Sequence, residues 1–207
     1  MINSTVDNRL LNREFDVTLA NLGTHSQDFF QVRVLPTYER LERNFAINPG
    51  VTLPAGTEYD WTRYRFQVTT AQRRIVALNQ VYEFGGFYNG TRHRVATDLN
   101  VRVRPGLIIY TSAEWNRVEL KEGRFETRLF RIVPELQFSP WVSWVNNVQY
   151  DTQSALLGWQ SRFRWIVKPG SDLYVVYTHN WIDDPLQNRM STLDRRAASK
   201  VLYTHRF

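Results

Sequence analysis

The chain has 207 residues, 43% of them hydrophobic, with a mean hydropathy of −0.44, and it contains no cysteine. Disulfides and Cys-ligated metals are therefore excluded, and so is a transmembrane helix, because no run of eighteen apolar residues occurs. The net charge is +6 with 26 basic residues, only three of them lysine (Lys121, Lys168, Lys200). The 23 arginines lie scattered through the chain and form no basic helix or tail, so no nucleic-acid partner is expected.

Met1–Asn8 lacks the basic region and apolar core of a signal peptide. From there the sequence reads as strand after strand, with alternation of period two and no 3.6-residue periodicity. The expected strands are 13–21, 28–40, 60–70, 73–84, 91–104, 107–118, 124–138, 141–151, 155–168, 172–182 and 198–207. In 94–104, Val95, Thr97, Leu99, Val101 and Val103 share one face, while Arg94, Ala96, Asp98, Asn100, Arg102 and Arg104 share the other. In 141–151, Val142, Trp144, Val148 and Tyr150 oppose Ser143, Asn147, Gln149 and Asp151. In 157–168, Leu157, Trp159, Ser161, Phe163, Trp165 and Val167 oppose Gly158, Gln160, Arg162, Arg164, Ile166 and Lys168. The alternation leaves the faces of 73–84 unassigned. Most of these strands exceed the usual five or six residues and suit a tilted membrane span.

The connections sort by parity. Counting back from the C-terminus, one set holds Pro169-Gly170, Ser139-Pro140, Pro105-Gly106, Thr70–Gln72 and 22–27; the other holds 183–197, 152–154, 119–123, 85–90 and 41–59. Short turns on one side and longer loops on the other are the asymmetry of an outer-membrane barrel. On this register Trp115, Tyr150, Trp159 and Trp181 lie towards the outer end, and Phe138, Trp141, Trp165 and Phe207 towards the periplasmic end, as interfacial girdles would. Eleven strands is an odd number, whereas single-chain bacterial barrels have even numbers. Together with the missing signal peptide, this gives the expectation that the chain is the C-terminal portion of a longer precursor.

The polar faces carry Arg63, Arg65, Arg94, Arg102, Arg104, Arg131, Arg162 and Arg164, with Asp98, Glu114, Glu135 and Asp151. Two readings stand: rings of arginine that favour anions in a pore, or an internal ladder of ion pairs that fills the lumen. Either way these residues face inward, because arginine at the lipid midplane costs about 2–4 kcal/mol.

Other candidate chemistry is thin. His25, His93, His179 and His205 show no metal spacing, and His93 near a loop end is the best candidate for a Ser-His-Asp set. Asp183, Asp184 and Asp194 fall in the loop 183–197, which lacks the dense oxygen ligands of a calcium site. Neither a catalytic residue nor a cofactor or metal is expected.

Lys200–Phe207 alternates to the end, with Val201, Tyr203, His205 and Phe207 on one side. A final strand closing on Phe looks like the assembly signal of bacterial outer-membrane β-barrels. Three stretches resemble a more specific group: Leu41–Gly56 leading into Tyr59–Phe66, Arg162–Tyr177 with its Arg-Trp-Ile-x-x-Pro-Gly-Ser-Asp-Leu run, and Lys200–Phe207. They are similar to the C-terminal barrel of a bacterial family of unknown function, over roughly residues 28–207. Full-length members of that family carry a signal peptide and a family-nine-like carbohydrate-binding module ahead of the barrel.

The expectation is thus an all-β protein with residues 1–207 in one domain, an antiparallel up-and-down transmembrane β-barrel of about 11–12 strands or a large part of one. It would sit in the bacterial outer membrane as a channel or as an anchor for a glycan-binding module. Its partners would be the bilayer, lipopolysaccharide, the barrel assembly machinery and, through the absent module, glycans. The rivals are a soluble ligand- or carbohydrate-binding barrel or sandwich, and a barrel-embedded glycan or lipid hydrolase. Replacing Phe207 with alanine in the full-length protein is expected to reduce barrel insertion, seen as lower outer-membrane levels and loss of the heat-modifiable gel band.

Overall fold

The computed structural model describes residues 2–4, 9–184 and 189–204, with backbone alone for 2–4 and 184. They form strands and turns. The strands are β1 Ile2–Ser4, β2 Leu10–Glu14, β3 Val17–Gly23, β4 Phe29–Arg40, β5 Phe45–Asn48, β6 Val51–Leu53, β7 Glu58–Thr69 and β8 Val76–Phe87. Then follow β9 Gly90–Arg104, β10 Leu107–Leu120, β11 Gly123–Ser139, β12 Val142–Asp151, β13 Leu156–Lys168, β14 Ser171–Asp184 and β15 Arg189–Leu202. The main sheet runs β1-β2-β4-β7-β8-β9-β10-β11-β12-β13-β14-β15, with β3 pairing β4 beside this path. From β7 on, each strand lies against its neighbour in sequence, which makes the sheet antiparallel and up-and-down. Among the described residues the path has two ends, β1 and β15.

The expected segment 13–21 is split into β2 and β3, and a proline explains the split. Both pieces pair with β4, β2 at Thr37–Glu39 and β3 at Phe29–Val34. Between them lies Pro36, whose carbonyl accepts the Phe15 N–H at 3.1 Å. A residue in an antiparallel ladder turns its N–H and C=O to the same side. The N–H that proline lacks is therefore the one that would have met the β2–β3 strand, and the ladder breaks there.

The segment 41–59 contains a small hairpin, β5 with β6, turned by Pro49-Gly50 with Gly50 at φ 82°. It folds back on the sheet. Leu41, Leu53, Tyr59 and Trp61 are buried together, with Phe87, Tyr88 and Leu120 packed against them.

Contacts divide the chain into two compact units. One comprises residues 1–71, 78–97 and 114–127; the other comprises 72–77, 98–113 and 128–207. The aromatic cluster belongs to the first.

Two expectations at the C-terminal end change. Residues 183–197 are not a long loop: β14 continues to Asp184, β15 begins at Arg189, and Asp184 pairs with Arg189. Asp194 accordingly sits in a strand, where its Oδ1 accepts the Asn180 amide at 2.6 Å, and not in a loop with Asp183. The last strand ends at Leu202, so Val201 lies in it while Tyr203 lies past its end, with the Lys168 ammonium 4.5 Å from its ring centroid. His205 and Phe207 lie outside the described residues.

Gly85 shows how tightly β7 and β8 approach. It faces Arg63, has φ 139°, and a Cβ there would stand 2.5 Å from the Thr62 carbonyl oxygen. Both the backbone angle and the space require glycine. Gly85→Ala is expected to destabilise the fold by about 1–3 kcal/mol, read as a lower urea midpoint with an unchanged slope.

Candidate functional site

The pairing registers decide which side chains share a face. Directly paired residues in an antiparallel sheet point the same way. Arg33, Leu35 and Thr37 of β4 stand opposite Arg65, Arg63 and Trp61 of β7, and Glu83 of β8 stands opposite Arg65. These residues form one face of the first unit. Phe30, Val32 and Val34 with Val68, Phe66 and Tyr64, and then Gln80, Tyr82 and Phe84, form the other.

The charged face is organised around Glu83, which is 2% exposed. Its Oε1 accepts Arg63 Nη1 at 2.9 Å, and its Oε2 accepts Arg65 Nε at 2.9 Å. Arg63 reaches on to Glu14 at 3.4 Å, and Arg33 donates to Asp16 at 3.1 Å and Gln31 at 2.7 Å. Farther along, Arg94 meets Glu114 at 2.6 Å, and the Asn116 amide donates to the same carboxylate at 2.8 Å. Arg92 donates twice to Asn116 Oδ1 and lies 5.3 Å from the Phe87 ring centroid. At the end nearest the hairpin, the Tyr88 hydroxyl donates to Glu39 at 3.1 Å. Burial pushes the Tyr88 phenol above its ordinary value, and the adjacent Glu39 carboxylate adds to the shift.

In the second unit, Arg131, Asn147, Gln149, Gly158, Gln160, Thr178 and Asn180 share a face with Arg162 and Arg164. Arg131 donates to Asn147 at 2.8 Å, and Arg164 to Asp172 at 2.9 Å. The opposite face presents Phe130, Ile132, Trp144, Trp165, Val175 and Val201, all exposed. Two polar side chains on that face, Asn146 and Ser161, accept indole N–H bonds from Trp159 at 3.2 Å and Trp144 at 2.7 Å.

The expected inward residues fare unevenly. Arg63 and Arg65 pair with Glu83, which the expected ladder did not include, and Arg94 pairs with Glu114, which it did. Asp151 pairs with no arginine among the described residues. Its carboxylate accepts the Gln153 N–H and the Ser154 hydroxyl, both at 2.9 Å, and closes the turn after β12. The side chains of Arg102, Arg104, Arg162 and Glu135 meet no ionic or hydrogen-bonding partner among the described residues, and Asp98 is exposed on β9. His93 stands on the apolar face, its Nδ1 2.9 Å from the Tyr82 hydroxyl and its ring stacked with Phe84. Among the described residues it is set against the aromatic rings of Tyr82 and Phe84.

Glu83, Glu14, Asp16, Arg33, Glu39, Arg92 and Asp172 are among the charged groups that sequence reading missed. Glu83 had a signal: Asn79, Val81 and Glu83 alternate with Gln80, Tyr82 and Phe84. Comparison of the chain with protein-family models, with curated proteins and with solved structures finds no match.

Removing the Glu83 charge strands two guanidiniums on a buried face. Glu83→Gln is expected to destabilise by about 3 kcal/mol or more. Glu119→Gln, which breaks the exposed Arg117 pair, should cost under about 1 kcal/mol. Denaturant unfolding of both variants side by side checks the contrast.

Proposed function

We propose that this chain is the membrane-spanning part of a bacterial outer-membrane β-barrel, serving as a membrane anchor. The observation that carries the reading is the sorting of residues by face. In each unit large apolar side chains stand exposed along one face, Phe66 and Val68 in the first and Phe130, Ile132, Trp144 and Trp165 in the second, while the opposite face carries arginines and carboxylates. Exposed apolar surface on this scale marks an interaction site, and strands of 12 to 17 residues such as β7, β9 and β11 are long enough to cross a bilayer at a tilt. Bonding of Asn146 and Ser161 to indole N–H groups also fits, since polar groups facing hydrocarbon need a partner within the protein.

Anchor is preferred to open channel because the charged face of the first unit is occupied. Glu83, Leu35 and Thr37 are buried there, and Arg63 and Arg65 are paired with Glu83. On this reading the partners are lipid, including lipopolysaccharide, and the barrel assembly machinery. The family resemblance adds a glycan-binding module ahead of the barrel.

Charge placed on each face in turn tests the proposal. Phe66 is already 36% exposed; in water, Phe66→Arg would cost little. In a bilayer it is expected to cost about 2–4 kcal/mol, while Gln67→Arg on the other face is mild. Folding yield in lipid vesicles reads the difference. Equal yields for the two variants, or a monodisperse folded protein without detergent, would reject the membrane reading.

A further inference from the structure

We propose that the second unit carries a binding site for a neutral polyhydroxylated solute, a sugar unit or polyol, on the face shared by β12, β13 and β14. The site does not require a bilayer, so it stands apart from the anchor reading.

Two adjacent register rows build it. Asn147, Gln160 and Thr178 form one row; Gln149, Gly158 and Asn180 form the next. Five of these six positions carry an uncharged hydrogen-bonding side chain, and the sixth carries none. The gap at Gly158 is the floor of a cavity of about 260 Å³ that all six residues line. Nothing in the backbone demands glycine there, since no left-handed φ occurs at this position. What a side chain would meet is the wall of the cavity: a Cβ at Gly158 stands 3.1 Å from Asn180 Oδ1. Glycine inside a strand often marks a close approach by a ligand or another backbone.

The walls are oriented by charges outside the cavity. Arg131 Nε donates to Asn147 Oδ1 at 2.8 Å, which turns that amide's oxygen away and leaves its NH₂ group as a donor. Across the cavity, Asn180 Nδ2 donates to Asp194 at 2.6 Å, which leaves Asn180 Oδ1 as an acceptor. A cation can meet only the oxygen and a carboxylate only the NH₂ group, so neither amide can flip without losing its bond. Gln149, Gln160 and Thr178 form no side-chain hydrogen bond among the described residues. Asp151, the charged group of the lining, is committed to its turn. A fixed donor facing a fixed acceptor, with amides and a hydroxyl between them, matches hydroxyl groups, each of which donates and accepts. An anion would leave the acceptors unpaired, and an apolar ligand would strip water from all of them.

The test is isothermal titration of the full chain, in whichever medium keeps it folded, with D-glucose, D-galactose and sorbitol, and with inorganic phosphate as the charged comparison. At least one of the three neutral solutes is expected to bind saturably, and phosphate is not. Gly158→Val, which fills the floor, and Gln160→Leu, which removes a partner at an exposed position where folding is tolerant, should each weaken binding by about tenfold or more. Ala198→Val, on β15 outside the cavity, should leave it unchanged, with circular dichroism confirming that each variant folds. Absence of saturable heat from all three solutes overturns the proposal. So does phosphate binding in their place, or an equal loss in Ala198→Val.

Discussion

Residues paired across an antiparallel ladder lie on the same face of the sheet, and a slip of one residue exchanges the faces. In this protein that constraint acts over strands of 12 to 17 residues, and the environment of each side chain follows from it. Arg63 lies beside Glu83 and not in the aromatic face because Arg65 and Glu83 are a register pair. Trp144, Phe163 and Val175 form a continuous apolar row because the same holds from β12 to β14. Departures from regularity are local and have causes: Pro36 splits β2 from β3, and the bulge between Asn180 and Trp181 shifts β15 by one residue.

Within each unit the two faces differ in what they must satisfy. On the charged face, guanidiniums and carboxylates removed from water must compensate one another, and the arrangement of two arginines on Glu83 does so at short range. On the apolar face of the second unit, Asn146 and Ser161 take their partners from the indole N–H groups of Trp159 and Trp144. The hairpin β5–β6 adds a third element. It buries Leu53 completely against Tyr59 and Trp61, on the same side of β7 as Arg63. An apolar cap thereby lies next to the ion pairs, where exclusion of water strengthens their attraction and raises the cost of breaking them.

Much of this was legible in the sequence, and the exceptions have a common origin. Strands 91–104, 141–151 and 155–168 announce themselves by clean alternation, and β9, β12 and β13 follow within a few residues. Residues 183–197 looked like a loop because β15 loses its alternation. Asp194, Arg195, Arg196, Ala197 and Ala198 run together without a large apolar side chain, and the bulge opposite Trp181 breaks the phase before them. That segment is a strand because β14 offers it a partner edge, which is a tertiary fact. The faces of 73–84 were obscured because polar Gln80 falls in the row of Tyr82 and Phe84 and apolar Val81 in the row of Asn79 and Glu83. The Gly85-Gly86 pair that follows is explained only by the backbone and the Trp61 side chain that press against it.

By itself the sequence determined the all-β class, the up-and-down order of the strands and the polarity of most faces. These follow from local rules: period two, proline and glycine in turns, and short connections between neighbours. The structure alone decided which charge meets which. Arg63 finds Glu83 twenty residues away, and Glu14 forty-nine residues away. Asp151 and Asp172, both carboxylates beside strand ends, part company: one closes its own turn, the other takes Arg164. Nor could alternation show that Gly158 leaves a cavity floor between two oriented amides, since a glycine has no face to assign. Pairing partners are set by register, and register is a property of two strands together.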